Sequence, residues 1–383
     1  MLGLYIHIPF CARRCPYCDF AVHVGAGADF VADYISALRR ELTHVLRQSS
    51  SDVALTSVFL GGGTPTFLAP QVLADLLSLV RDEHAVAPDC EISLEANPED
   101  LGGEESAARH ALETLHLAGW NRISMGAQSF DDEALKRIGR RHMSTDIRRA
   151  FGWARDCGFE NISLDLMFAL PGQSRESWRQ TLCRALELEP QHLSCYALTI
   201  EAGTPFARRV ERGRLLPIAD DEQAVLMNDA FEMTRAAGLE RYEVSNYAPR
   251  GFECRHNLNY WRGGDYMAAG CGAHGHRAGH RWWNERDARV YVQRVEEEGG
   301  ARGGEERLSP RERLSEIVML GLRLREGFSL DAVSRDLQMD AREVLGSELR
   351  EMTRRGVVLE REGVVSLAPH AVALADGIAA RLM

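Results

Sequence analysis

The chain has 383 residues, of which 45% are hydrophobic, and carries a net charge of −11 at pH 7. This length and composition suffice for one large globular domain and a small one. The acidic balance argues against a general nucleic-acid-binding surface. No apolar run approaches the ~18 residues of a membrane span, and residues 1–10 lack the features of a signal peptide. Secretion and membrane insertion are therefore not expected.

The numbers of cysteine and lysine residues argue against further classes of protein and site. Nine cysteines, an odd number in a large chain, do not suggest a disulfide scaffold and favour a reducing cytoplasm. Lys136 is the single lysine. Because a P-loop and a pyridoxal Schiff base both need lysine, the run Gly61-Gly62-Gly63-Thr64 is not a P-loop.

The first 200 residues alternate between short apolar strands and helical stretches, which predicts an α/β fold built as a partial (βα)6 barrel. The predicted strands are residues 4–8, 57–60, 92–95, 122–125, 162–167 and 192–197. The predicted helices between them are residues 29–47, 70–83, 104–118, 145–157 and 174–187. In such folds the functional site lies at the carboxyl ends of the strands.

Beyond residue 197 the alternation ends, and three domains are predicted: 1–200, 201–300 and 301–383. The middle one contains a helix at 220–237 and an aromatic, glycine-rich stretch from 242 to 283, and the acidic segment 296–306 has the composition of a linker or exposed loop. Helices near 311–325, 330–337 and 341–355 before a β pair at 357–367 predict a small winged-helix-like domain. Its arginines alternate with glutamates, which disfavours DNA binding.

Cys11, Cys15 and Cys18 follow the first predicted strand directly. A C-x3-C-x2-C triplet supplies three thiolates where electron-transfer clusters use four, so a four-iron cluster here would keep one iron open. The alternative is a zinc site completed by His7 or His23. Zinc knuckles normally pair two C-x2-C units, and one is present.

Candidate ligand contacts follow the later strands. The glycines at 61–63 allow close backbone approach and positive φ, and Glu95 ends the third strand, where its carboxylate could accept from two hydroxyls. Gln128 follows the fourth strand. Asp165 interrupts an apolar strand, and because a buried carboxylate needs a partner, Arg140 is the expected one.

These motifs together resemble the radical S-adenosylmethionine (SAM) superfamily, and within it the oxygen-independent coproporphyrinogen III oxidases and their relatives. The resemblance rests on YIHIPFC, the cysteine triplet, GGGTPT, SLEANP, GAQSF and LDLMFALPGQ. It implies a [4Fe–4S] cluster on the three cysteines, with SAM on the fourth iron. The SAM contacts that it implies are Tyr5, Tyr17, Gly62, Gly63, Thr64, Glu95, Gln128, Arg140 and Asp165.

Three features favour the haem-chaperone branch of this family over the oxidases. Phe20 stands where the oxidases carry a further cysteine, and the chain begins four residues before Tyr5 without their N-terminal extension. His256-Asn-Leu-Asn-Tyr-Trp261 matches the HNxxYW motif of that branch, in which the histidine is implicated in holding haem.

The resemblance implies a protein that binds haem and passes it to haem-dependent, respiratory proteins, with peripheral membrane contact left open. The alternative is an oxidase that decarboxylates coproporphyrinogen. SAM cleavage and SAM binding alone are both compatible with the pattern. His274, His276, Cys254 and Cys271 lie close to His256 in sequence and are further candidates for the haem ligand.

Overall fold

The computed structural model describes residues 1–49, 53–101 and 103–383. Twelve of its strands form one sheet in the order β14-β13-β12-β11-β1-β4-β5-β6-β7-β8-β10-β9. The strands are β1 Leu2–Ile8, β2 Phe10–Cys11, β3 His23–Val24, β4 Leu55–Gly62, β5 Val86–Ala96, β6 Arg122–Gln128, β7 Asn161–Phe168, β8 His192–Ala197, β9 Glu240–Arg241, β10 Asn246–Ala248, β11 Asp265–Ala269, β12 His274–Arg277, β13 His280–Asn284, β14 Arg302–Arg307, β15 Phe328–Ser329, β16 Val358–Arg361 and β17 Val364–Leu367.

The helices alternate with the first strands and then dominate the C-terminal part. They are α1 Ala28–Gln48, α2 Pro70–Glu83, α3 Pro98–Leu101, α4 Glu105–Ala118, α5 Asp132–Arg137, α6 Ser144–Asp156, α7 Arg175–Leu186, α8 Pro205–Glu211, α9 Asp220–Ala236, α10 Arg255–Trp261, α11 Ala288–Glu298, α12 Pro310–Gly321, α13 Leu330–Leu337, α14 Ala341–Arg354 and α15 Ala375–Leu382, with 3-10 turns at Pro65–Phe67 and Pro369–Leu374. In the part of the chain that the structure describes, no helix is long and apolar enough to cross a bilayer.

The six predicted strands are β1, β4, β5, β6, β7 and β8, and all five pairings among them are parallel. The predicted partial barrel is therefore confirmed. β11 extends it in parallel beside β1. Antiparallel strands then flank it on both sides, so that β14 and β9 are the two edges.

The central strands have two chemically different faces because side chains alternate along a strand. One face is apolar and packs under the helices in the main core, which includes Leu4, Val58, Leu94, Ile123 and Leu164. The other face, which lines the barrel interior, carries polar groups, among them Ser57, Ser93, Ser124, Ser163 and Ser194, all buried. The barrel interior is thus the polar compartment of the molecule.

The C-terminal part has its own buried apolar cluster, to which α12, α13, α14 and α15 contribute. The predicted helices and β pair are present, and β15 adds a third strand in the order β15-β17-β16. This arrangement matches the predicted winged-helix-like unit.

The acidic, glycine-rich segment 296–306 differs from its predicted role as a linker or loop. It contains the end of α11 and most of β14, which pairs with β13 in the main sheet. The side chains of β14 are nearly all exposed, as expected for an edge strand.

Glycine in β14 has a packing reason. Trp283 on β13 pairs with Gly304, and a Cβ added at Gly304 would lie 2.4 Å from the Trp283 ring. The indole therefore lies flat on the backbone of the neighbouring strand. Composition alone suggested flexibility here, whereas the glycine makes room for an aromatic ring.

We expect Gly304→Ala to lower the free energy of unfolding by about 1–3 kcal/mol, the usual cost of overpacking, because the new methyl must displace Trp283. Urea unfolding followed by tryptophan fluorescence measures this. Gly300→Ala is the matched control, since among the described residues no heavy atom lies within 4 Å of a Cβ there. Equal unfolding midpoints for the two variants would contradict the packing argument.

Candidate functional site

One cavity of about 750 Å³ opens at the carboxyl ends of the central strands. It collects every residue assigned to the cluster or to SAM and the first haem candidate, His256, but not the further haem candidates His274, His276, Cys254 and Cys271. The residues that it collects are Tyr5, Cys11, Cys15, Tyr17, Cys18, Gly62, Gly63, Thr64, Glu95, Gln128, Arg140, Asp165 and His256. Residues as far apart in sequence as Tyr5 and His256 therefore line one cavity.

The three cysteines lie on a loop that leaves the barrel after β1. Cys11 ends β2, and a turn closed by the Cys18 N–H donating to the Cys15 carbonyl (3.1 Å) holds the other two. All three thiols are free and partly exposed. Burial raises the pKa of Cys11 to about 11, so in the absence of a bound cation this thiol stays protonated at neutral pH.

The glycine turn after β4 packs directly against this loop. Gly62 has φ +112°, and a Cβ there would lie 2.4 Å from the His7 ring. A Cβ on Gly63 would lie 2.7 Å from the backbone of Pro9 and Phe10. A side chain at Gly63 would push away the start of the cysteine loop, and one at Gly62 would displace the His7 ring on β1, so these glycines let the turn lie close to both.

Glu95 faces the cavity from the end of β5. Its Oε2 accepts a hydrogen bond from the Gly62 N–H at 3.0 Å. Burial, reinforced by the nearby Asp165 carboxylate, raises the pKa of Glu95 to about 7. The side chain can therefore exchange a proton near neutral pH, and it has acceptor capacity left for a ligand hydroxyl.

The prediction that Asp165 pairs with Arg140 is wrong. Asp165 instead accepts hydrogen bonds from the Ser124 hydroxyl (3.1 Å) and the Ser163 hydroxyl (3.2 Å). Burial raises the pKa of Asp165, against the opposing charge of Arg122. Serines on the adjacent inner positions satisfy the carboxylate, so no salt bridge is needed.

Arg140 binds elsewhere, beside the cysteine loop. Its guanidinium donates to the Gly126 carbonyl (3.0 Å), to the Asn97 side chain and to the Cys15 sulfur (3.7 Å). Asn97 also donates to Thr64 Oγ1 at 2.7 Å. The sequence analysis missed Asn97, although its place two residues after Glu95 at a strand end could have indicated it.

Tyr17 and Gln128 complete the wall. Tyr17 packs against Phe206, with ring centroids 6.3 Å apart. Gln128 has φ +62°, and the register of β6 against β7 shifts between Met125 and Gln128. Such an irregularity at the end of a strand redirects a side chain, and here it turns Gln128 to the cavity.

His256 lies deeper, on the short helix α10 at the floor of the barrel. Glu91 on β5 anchors this helix by accepting from the backbone N–H groups of Arg255 (2.9 Å) and His256 (3.2 Å). The motif is thus fastened to the inner face of the sheet through its first turn.

Both ring nitrogens of His256 are occupied. Nδ1 lies 2.9 Å from Ser57 Oγ and Nε2 lies 2.7 Å from the Tyr260 hydroxyl. The side chain is 1% exposed, and burial, with the charge of Arg122, lowers the pKa of His256 to about 3. The imidazole is neutral, as a metal ligand must be, but neither nitrogen is free in this conformation.

A second cavity of about 710 Å³ adjoins the first. The two share Tyr5, Asp19, Phe20, Gly62, Glu95 and Tyr260. The β12–β13 hairpin supplies much of the remaining wall, including His274 and Trp283. Phe20 lines both cavities and is 65% exposed. The residue that departs from the oxidase pattern therefore lies where the two cavities meet.

Comparison with known proteins gives concordant results. Residues 5–184 match the sequence profile of the radical SAM superfamily, and residues 308–374 match that of the HemN C-terminal domain. The chain is 34% identical over 368 residues to the haem chaperone HemW of Bacillus subtilis, covering 96% of this chain and 95% of that protein. It is 43% identical over 282 residues to HemW of Escherichia coli, covering 72% and 70%.

Among solved structures, the fold matches coproporphyrinogen III oxidase (HemN) of Escherichia coli, a radical SAM enzyme, with a TM-score of 0.85. The match covers 100% of this chain and 89% of that one at 22% identity. At that identity the likeness establishes the fold alone.

We expect Glu95→Gln to stabilise the protein at pH 8 by on the order of 1 kcal/mol, because above pH 7 the native state must keep this buried carboxylate charged, and close to Asp165. The native pKa of Glu95 lies above the unfolded value. The gain should therefore shrink as pH falls from about 7 toward 4.5, where the folded protein takes up the proton. Urea unfolding between pH 5 and 8 tests this.

The control is Glu113→Gln, at an exposed position on α4, which should leave the pH dependence of stability unchanged. A Glu95→Gln difference that stays constant over the pH range would show that the carboxylate does not titrate in this window.

Proposed function

This chain belongs to the HemW family of radical SAM proteins, and on that premise we propose that it binds haem and hands it to haem-dependent proteins. The observation that carries the proposal is the pair of adjoining cavities. One gathers three thiols and the polar strand ends, and the other has aromatic walls and a volume within the roughly 300–1,000 Å³ typical of cofactor pockets.

We propose that Cys11, Cys15 and Cys18 hold a [4Fe–4S] cluster. Their fit is supported by three free thiols on one cavity wall, with Arg140 donating to the Cys15 sulfur. Hydrogen bonds to sulfur and a nearby cation stabilise the negative charge of a thiolate-bound cluster. When bound, the cluster supplies reducing electrons and an open iron for SAM.

The SAM contacts are proposed from the same cavity. Glu95 retains acceptor capacity for ribose hydroxyls, and the glycine turn at Gly62 and Gly63 exposes backbone where a side chain would block approach. The other proposed contacts are Tyr5, Tyr17, Thr64, Gln128, Arg140 and Asp165. Among them, Asp165 is already held by serines, so it offers a charge whose position is fixed before SAM arrives.

We propose that the HNxxYW motif takes part in haem binding. His256 holds the Tyr260 hydroxyl, and Tyr260 lines both cavities. Direct ligation of haem iron by His256 would require this hydrogen bond to break. In the conformation described, the motif reaches the second cavity through the Tyr260 ring.

The proposed acceptors are haem-dependent proteins, respiratory ones among them, reached by peripheral contact where they are membrane proteins. Nine free thiols fit a reducing compartment such as the cytoplasm. The functional class is binding and transfer, with SAM and the cluster as resident cofactors.

The cluster assignment predicts that Cys15→Ala, after anaerobic reconstitution with iron and sulfide, loses most of its iron and its visible charge-transfer absorption, because two thiolates cannot hold the cluster as three do. Cys183→Ala is the control, an exposed cysteine on α7, and should match the wild type. Full iron and sulfide content in the Cys15 variant would exclude this residue as a ligand.

The chaperone assignment predicts saturation near one haem per chain in an anaerobic titration. It also predicts transfer to an apo b-type cytochrome at a rate that rises with acceptor concentration, since handover requires an encounter. A rate independent of acceptor would indicate simple dissociation and contradict a delivery role. Decarboxylation of coproporphyrinogen by the reduced, SAM-loaded protein would instead establish the oxidase function.

A further inference from the structure

We propose that His274 is the axial ligand to haem iron, with the porphyrin lying in the second cavity beside Phe20. This inference rests on the proposed haem-binding function and assigns its iron ligand. It moves that role from the HNxxYW histidine at the barrel floor to the β12–β13 hairpin at the rim.

The hairpin presents His274 on a rigid aromatic support. His274 on β12 is directly paired with Trp283 on β13, and the two rings stack with centroids 6.0 Å apart and 29° between their planes. Trp283 in turn lies flat on Gly304 of β14. Three adjacent strands therefore fix the direction of an exposed imidazole that borders the cavity.

The other histidines near the cavity have both ring nitrogens engaged. His7 contacts the Ala21 carbonyl (2.8 Å) and the Tyr5 hydroxyl (3.1 Å). His276 contacts the Gly264 carbonyl (2.9 Å) and the Gly279 N–H (3.1 Å), and the His256 nitrogens are engaged with Ser57 and Tyr260.

The His274 ring, by contrast, has no hydrogen-bond partner within residues 1–49, 53–101 and 103–383. Burial and the charges of Arg281 and Arg286 lower the pKa of His274. A lowered pKa favours the neutral imidazole, whose lone pair is the one that iron binds.

The rest of the lining suits a porphyrin. Phe20 and Tyr266 offer flat apolar faces, and Arg286 provides a cation for a propionate at the cavity mouth. Arg286 already contacts the Asp19 backbone carbonyl and carboxylate, so it is held at the base of the loop that carries Phe20. Cation, aromatic walls and imidazole thus surround one open space.

The test is an anaerobic haem titration of the cluster-loaded protein and its His274→Ala variant, read by the Soret band and by electron paramagnetic resonance of the ferric state. We expect the variant to bind haem about tenfold or more weakly and to lose the imidazole-ligand signature, because the iron loses its protein ligand. Added imidazole should restore the wild-type spectrum.

The matched control is His280→Ala on the same hairpin. His280 pairs with Glu305 and packs on Trp282, on the opposite face of the hairpin, and its variant should behave as the wild type. His256→Ala should weaken binding through Tyr260 yet keep the imidazole signature.

Saturable haem binding with an unchanged spectrum in His274→Ala would overturn the ligand assignment and leave the chaperone function intact. Loss of the signature in His256→Ala alone would also overturn it and return the ligand to the HNxxYW motif. Wild-type protein that never saturates with haem would overturn the proposed function itself.

Discussion

Polar groups on the inner face of the central strands must find partners inside the barrel, because an unpaired buried group costs about 1–3 kcal/mol. Helix α10 provides many of these hydrogen-bond partners. In the first chain of hydrogen bonds, Ser57 is bonded to His256, and His256 to Tyr260. In the second, Ser163 is bonded to His192 and His192 to Tyr242. The Tyr242 hydroxyl then accepts from the Cys254 N–H. One chain of hydrogen bonds ends on this helix and the other on its N-cap residue, Cys254, so the barrel floor and the motif form a single polar unit.

This arrangement separates two kinds of residue that look alike in sequence. Groups near the floor, such as His256, are satisfied by the protein and hold other side chains in position. Groups at the strand ends, such as Glu95, keep capacity for a ligand. The position of a residue along its strand therefore decides whether its side chain supports the fold or can bind a ligand. The carboxyl ends of the strands open to the cavity, whereas α10 closes the other end of the barrel.

The sequence predicted the six strands and many residues of the first cavity because both follow from local patterns: short apolar runs that alternate with helical stretches, and chemistry placed directly after a strand. It did not predict the partners of Asp165, since Ser124 lies on the neighbouring strand and is brought to Asp165 only by register. It also assigned segment 296–306 to a linker, because composition does not show that Gly304 supports Trp283. The burial of His256 likewise depends on Glu91, 165 positions away.

The two cavities adjoin, so a ligand in one would contact residues that also line the other. Cys18 is followed directly by Asp19 and Phe20, which line both cavities, and Asp19 is bound by Arg286. A cluster held by Cys18, as proposed, would restrict this short segment and with it the position of Phe20. Because coupling between two sites is reciprocal, the proposed porphyrin beside Phe20 would in turn alter the free energy of binding at the cysteine loop. The loop that carries the three cysteines in the first cavity thus also shapes the wall of the second.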